Sequence, residues 1–252
     1  MAYGWMFTVF VLIGVDNIQG QVDLDDYFKN CKPDNSESFD DCLKDGLNGL
    51  RAYFKTGLPD YGVEPFDPFF ASEVHQKRRG PFFDYKLVLH NVTESGWTNA
   101  EVTKIKTDPT KNQIQVTQSF PDKRLKGWYE IEGTFLGTKV KSSGGWNLAL
   151  FNYSQTLTVS RKSSGSFGNL LDSTPIKVKC NLHSCQKLEL HIENLAGGRR
   201  IIETVLDRII NVAWPPGFYL LSPLINDLVG TAFTEIFTKD FQSFPFDRVF
   251  GR

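Results

Sequence analysis

From about residue 80 to about residue 195, apolar residues recur at every second position. Beyond that they recur every three to four. The first period belongs to strands buried on one face, and the second to amphipathic helix. FFDYKLVLHNV sets Phe83, Tyr85, Leu87 and Leu89 against Asp84, Lys86, Val88 and His90, and QIQVTQSF sets Ile114 and Val116 against Gln113, Gln115 and Thr117. LKGWYEIEGTF, GGWNLALFNY, QTLTVS, TPIKVKC and KLELHIENL continue the alternation between Gly, Ser, Asn and Asp turns. These strands predict an antiparallel meander with one apolar face. No strand–helix–strand alternation is visible, which argues against a doubly wound nucleotide-binding fold.

Helical signals flank this block. Leu43, Leu47, Leu50 and Phe54 fall at i, i+4, i+7 and i+11, so residues 39–54 read as an amphipathic helix. Ser38 and Asp41 resemble a capping box, and Gly57 and Pro59 mark the end. Pro59, Pro65 and Pro68 then keep GLPDYGVEPFDPFF extended. Past Leu195, the residues Ile202, Val205, Leu206, Ile209 and Ala213 predict a helix that Pro215-Pro216-Gly217 kinks or breaks. A second helix follows, from Leu221 to Ile236, apolar almost all round in its first half. No internal repeat or linker divides the sequence, so residues 21–252 read as one domain.

The uncharged apolar run from Trp5 to Val15 is too short for a bilayer span of about 20 residues. It suits the core of a secretory signal peptide covering residues 1–20, cleaved after Gly20. Asn91-Val92-Thr93 and Asn152-Tyr153-Ser154 are glycosylation sequons, meaningful only in that pathway. The cysteines form two close pairs, Cys31 with Cys42 and Cys180 with Cys185, which read as disulfides. NLHS, inside the second pair, reads as a hairpin loop. Cys180, His183 and Cys185 lack the spacing and the fourth ligand of a zinc site, so no metal is expected. With no second long apolar run, the expectation is a soluble, secreted, extracellular protein without a membrane span.

Lys and Arg number 28 against 29 Asp and Glu. That balance argues against nucleic acid or an anionic membrane as an electrostatic partner. Enzyme readings fail for want of parts. Ser166 in SGSFG lacks the spacing of a nucleophile elbow. A phosphate loop, a dinucleotide fingerprint and an HExxH pair are all missing, and His75, His90, His183 and His191 are scattered. Asp23–Asp26 lacks the glycine and glutamate of an EF-hand, and Lys77-Arg78-Arg79 reads as an exposed loop. Neither a catalytic residue nor a cofactor is expected. The 21 Phe, 8 Tyr and 5 Trp are what stand out. Each removes roughly 150–250 Å² from water when buried, enough together to line an extensive apolar interior.

GLPDYGVEPFDPFF resembles the "GIP-x-x-x-V-P-x-x-DP" signature of the insect takeout and juvenile-hormone-binding proteins, and it follows a helix and two nearby cysteines as it does there. GGWNLALFNYS is similar to the family's mid-chain glycine-led strand, and Asn211-x-x-Trp214 with the closing FPFDRVF is similar to its C-terminal region. The resemblance implies an α+β fold. A long C-terminal helix is wrapped by a strongly curved antiparallel β-sheet, with an elongated hydrophobic tunnel between them. The function implied is a secreted carrier of a small hydrophobic ligand, terpenoid, juvenile-hormone-like or fatty-acid. The alternative is a secreted interaction, signalling or immune-recognition protein on the same fold, carrying no ligand and meeting a cell-surface receptor. A monomer is expected in either case. The Cys180/Cys185 pair and Pro215-Pro216 depart from the family pattern.

Candidate tunnel residues are Leu87, Leu89, Val116, Tyr129, Ile131, Leu148 and Leu150 on the apolar strand face, with Trp214 and Phe218 at one end. Tyr129 has a hydroxyl to offer an ester, epoxide or carboxyl group. A one-residue slip would exchange Leu148 and Leu150 for Ala149 and Phe151 on the inner face.

Overall fold

The computed structural model describes residues 22–32, 37–81, 83–135, 137–161, 176–194, 211–212, 214 and 218–240. The expected signal segment, Ser166, the helix through Ile202 and Ile209, and Pro215-Pro216-Gly217 lie outside the described residues.

Among the described residues, six strands form one antiparallel sheet: β1 Phe69–Arg79, β2 Phe83–Ser95, β3 Glu101–Asp108, β4 Gln113–Phe135, β5 Thr138–Arg161 and β6 Ile176–Ile192. The order is β1-β2-β4-β5-β6. β3 lies end to end with β2 along one side of β4, pairing with its first part while β2 pairs with its second. The 23 residues of β4 extend about 75 Å at roughly 3.3 Å per residue.

Segments that read as separate short strands are continuous here. The interruptions of period are irregularities inside the strands: the pairing shifts register between His90 and Thr93 in β2 and between Ser154 and Gln155 where β5 meets β6, while β4 and β5 switch parity together with their register unchanged. Inward parity switches between Leu89 and Val92 in β2, between Phe120 and Lys123 in β4, between Leu150 and Tyr153 in β5, and between Leu182 and Cys185 in β6. Asn91 and Asn152 sit at two of these switches with φ of 51° and 47°, a conformation that asparagine tolerates better than most residues. NLHS is therefore an irregularity inside β6 and not a hairpin loop. Lys77-Arg78-Arg79 ends β1 and is not a loop. β1 and β3 carry no clean alternation in sequence, because charged residues interrupt it.

The N-terminal helices α1 (Asp25–Phe28) and α2 (Glu37–Gly49), with a 3-10 turn at Leu50–Tyr53, cover the β3 end of the sheet. Ser38 lies inside the span of α2, one residue after its first. Leu43, Leu47, Leu50 and Phe54 face one cluster with Val102, Ile105, Ile114 and Val116, as the helical spacing requires. Cys31 and Cys42 form a disulfide with Cα atoms 5.4 Å apart, and Asn48 holds α2 to Val102 through both backbone groups at 2.9 Å.

The C-terminal helix α3 (Phe218–Asp240) bonds to both edges of the sheet. Asp227 Oδ2 accepts from Gln76 Nε2 of β1 at 2.8 Å, while Asn226 and Thr234 bond to β6. One helix reaches β1 and β6, the opposite edges, only when the sheet curls around it.

Candidate functional site

An uncovered edge strand presents a row of free N–H and C=O groups. On β6 that row is taken by side chains of the C-terminal segment. Asn211 Oδ1 accepts from Leu190 N at 2.9 Å, and its Nδ2 donates to Leu190 O at 3.2 Å. Trp214 Nε1 donates to Cys185 O at 3.0 Å, Asn226 Oδ1 accepts from Leu182 N at 3.0 Å, and Thr234 Oγ1 accepts from Val178 N at 2.9 Å. The Asn211-x-x-Trp214 spacing thus docks the chain along β6, so Trp214 is a buried strap across the strand edge.

Most of the candidate residues lie on the concave face of the sheet. Leu87 and Leu89 lie directly opposite Ile131 and Tyr129, and these four pack with Val74, Val92, Trp146, Leu228 and Ala232. Leu148 and Leu150 lie opposite Leu190 and Leu188 and face a second cluster with Trp214, Phe233 and Ile236. Phe151 takes the outer face, with Arg124 Cζ and Lys187 Nζ 5.6 and 5.3 Å from its ring centroid. That settles the choice between Leu148/Leu150 and Ala149/Phe151. Val116 packs instead with the N-terminal helices, away from the other candidates. The Phe218 backbone opens α3, and its side chain lies outside the described residues.

One expectation is overturned, the Cys180–Cys185 disulfide, and the Tyr129 hydroxyl already has partners within the protein. The Tyr129 hydroxyl donates to Glu193 O at 2.6 Å and lies 2.9 Å from Ser142 Oγ, so its proton is already committed within the protein. Cys180 and Cys185 are free, buried thiols on one continuous strand. Five residues of strand separate their Cα atoms by about 15 Å, against the 4.4–6.8 Å that a disulfide needs. Burial pushes the Cys180 thiol up to about 12, and it raises that of Cys185 as well.

Several organising residues escape a period-based reading. Lys123 is buried because the parity switch at Pro121-Asp122 turns it inward. There it meets Glu94 and stands over the rings of Trp97, Phe120 and Tyr153 at 4.6, 4.5 and 5.4 Å. Tyr153 donates to Gln155 Oε1 at 2.6 Å, and Gln155 donates to Gln118 at 3.2 Å, giving the aromatic core a polar spine. Burial raises the pKa of the Tyr153 phenol well above its ordinary value. Asp67, from the DP of the N-terminal signature, accepts from Gly96 N, Thr98 N and Thr98 Oγ1 at 3.0, 2.7 and 2.6 Å. It thereby fixes the turn that inserts Trp97. In the same signature, a Cβ on Gly57 would collide with Val63 O, and its φ of +74° favours glycine. Among the described residues, no group of three or more His, Cys, Asp or Glu side chains is arranged to hold a metal ion.

A sequence model for haemolymph juvenile hormone binding protein (JHBP) matches residues 6–251. Among solved structures, Takeout 1 of Epiphyas postvittana superposes with a TM-score of 0.58 at 20% identity, covering 81% of this chain and 93% of that one. Lipopolysaccharide binding protein aligns with a TM-score of 0.34 at 13% identity, over 82% of this chain and 40% of that one. Among curated protein sequences, none matches the chain. The likeness to Takeout 1 is one of fold, a large antiparallel sheet with a few helices.

Proposed function

The chain belongs to the haemolymph juvenile hormone binding protein family, and from that premise we propose that it is a secreted, non-enzymatic carrier of a small hydrophobic ligand. The ligand lies in an elongated tunnel between the C-terminal helical region and the concave sheet. Terpenoids, juvenile-hormone-like esters and fatty acids are the classes of suitable length and polarity.

The observation that carries this reading is a set of aliphatic side chains that face inward yet keep accessible surface. Leu87, Ile131, Leu148 and Leu190 on the strands, with Ile225, Leu228 and Val229 on α3, are only partly buried. A core filled by its own side chains reaches crystal-like density and leaves no such surface. Burial of about 12 ligand carbons at roughly 0.8 kcal/mol each offsets the cost of association and leaves micromolar or better affinity. With the Tyr129 proton committed to Glu193, apolar contact supplies most of the affinity.

On this reading, residues 1–20 are removed on secretion, and residues 21–252 form the single binding domain. Asn91 and Asn152 are exposed, which suits glycan attachment. Native mass spectrometry of the secreted protein, before and after solvent extraction, tests the proposal. The expected spectrum starts at Gln21 and shows one extractable apolar adduct. Absence of an adduct, together with failure to displace an apolar fluorescent probe, overturns the carrier reading.

A further inference from the structure

The overall charge is −1, but the fold does not distribute it evenly. The β1–β2 and β4–β5 hairpins end side by side, with Arg79 opposite Asp84, Asp84 opposite Thr134 and Thr134 opposite Lys139. Residues 77–86 and 132–141 together hold 6 of the 28 basic residues and only 2 of the 29 acidic ones. Two stretches some fifty positions apart in sequence thus become one surface.

Strand alternation assigns the faces. Gln76, Leu87 and Ile131 point inward, so the next row, Lys77, Lys86, Glu132 and Lys141, points outward. Arg79 and Lys139 lie outward in the row nearer the turns, together with Asp84. Lys77, Arg79, Lys86, Lys139 and Lys141 are all exposed, and Lys77 sits directly opposite Lys86, an arrangement that destabilises a sheet. Among the described residues, Glu132 pairs with Lys141 at 3.5 Å. Four residues further along β1 and β2 the sign reverses, where Glu73 and, from β4, Glu130 flank His90. The cationic band is therefore confined to the hairpin ends.

The turns have an unusual composition for polar loops. In sequence they run Gly80-Pro81-Phe82-Phe83 and Phe135-Leu136-Gly137; the backbones of Phe83 and Phe135 are paired in register, and Phe82, Leu136 and the side chains of Phe83 and Phe135 lie outside the described residues. Turn sequences favour Gly, Pro, Asn, Asp and Ser. Aromatic and leucine residues bordered by Lys and Arg instead match the chemistry of a lipid interface, where apolar groups enter the headgroup layer and cations meet phosphate.

We propose that this pair of hairpin ends docks the protein on an anionic phospholipid surface. Averaged over the chain, the near-zero charge hides the site. Locally, a one-signed field of this kind acts within about 8 Å at physiological ionic strength, which matches a surface contact. The proposal concerns where the protein meets lipid and holds whether or not a ligand is carried.

The test is co-sedimentation of the full mature chain with phosphatidylcholine vesicles, with and without about 30% phosphatidylserine. The wild-type protein is expected to bind the anionic vesicles and to lose that binding in high salt. Lys86→Glu with Lys139→Glu should weaken binding by at least about tenfold. Lys104→Glu with Lys106→Glu changes net charge equally on exposed positions of β3, at the far end of the sheet, and should leave binding within about twofold. Uptake of an apolar fluorescent probe is measured on all three proteins, so loss of the carrier activity registers separately. Equal binding to neutral and anionic vesicles, equal losses in both double variants, or no sedimentation with either vesicle overturns the proposal.

Discussion

Lys123 Nζ lies 2.6 Å from Glu94 Oε1, and the two side chains are 4% and 9% exposed. The pair sits in the aromatic core, with three rings around the ammonium group, so it is shielded from the water and salt that weaken surface pairs. Removing one partner leaves a buried charge without compensation. Lys123→Met is expected to destabilise the fold by about 3–5 kcal/mol in urea unfolding, whereas Lys123→Met with Glu94→Met should recover most of that loss. A single variant as stable as the double would show that the charges are solvated in the native state.

The two free thiols give a second prediction, with a sign. The folded-state pKa of Cys180 lies at about 12 against an ordinary 9.0 because burial disfavours the thiolate. The unfolded chain ionises first as pH rises. The resulting contribution to stability is fully present below about pH 9 and is lost between about 9 and 12. At pH 8 the native protein should react slowly with a thiol reagent, and the denatured, non-reduced protein should release two thiols per chain. Detection of no thiol after denaturation would restore the Cys180–Cys185 disulfide.

Asp67 supplies a third. Its carboxylate accepts two backbone N–H groups and a hydroxyl from the turn that carries Trp97, and the residue is 8% exposed. Asp67→Ala leaves those buried donors unpaired, at about 1–3 kcal/mol per group. The variant should lose about 3 kcal/mol in urea unfolding and shift Trp emission to the red. Asp67→Asn, which keeps one acceptor oxygen, should lose less. Equal losses in the two variants would indicate that packing, not hydrogen bonding, sets the turn.

Much of this architecture is legible in the sequence because burial obeys simple periods. Leu43, Leu47, Leu50 and Phe54 share a face, and Leu87, Leu89, Tyr129 and Ile131 meet across β2 and β4. What escapes is every feature that depends on the irregularities inside the strands. Parity switches by one between Phe120 and Lys123, so Lys123 turns inward, and the register shift beside Leu182–Ser184 makes NLHS pass for a loop. The short spacing of Cys180 and Cys185 then suggests a bridge that a continuous strand forbids. The edge bonds of Asn211, Trp214 and Thr234 are likewise invisible to periodicity, because they join backbone to side chains from a distant segment. The cationic hairpin ends are lost to sequence reading for a related reason: only the pairing of β2 with β4 brings them together.

Leu148→Trp separates a tunnel from a filled core. Leu148 faces Leu190 on the concave side and keeps accessible surface, so an indole placed there enters whatever space the wall encloses. If that space holds a ligand, the larger ring occupies it without displacing neighbours. Stability should then change by less than about 1 kcal/mol, because a buried apolar ring fits an apolar void. Probe affinity should fall by at least tenfold, equivalent to about 1.4 kcal/mol of lost contact. If the interior is already packed by its own side chains, the same substitution forces off-rotamer neighbours and destabilises by about 1–3 kcal/mol. Urea unfolding and probe displacement on one variant thus separate the two arrangements: affinity falls at nearly constant stability in the first, and stability falls in the second. A destabilised variant from a protein that never took up the probe would place the partly buried leucines at an opening to solvent and not along a tunnel.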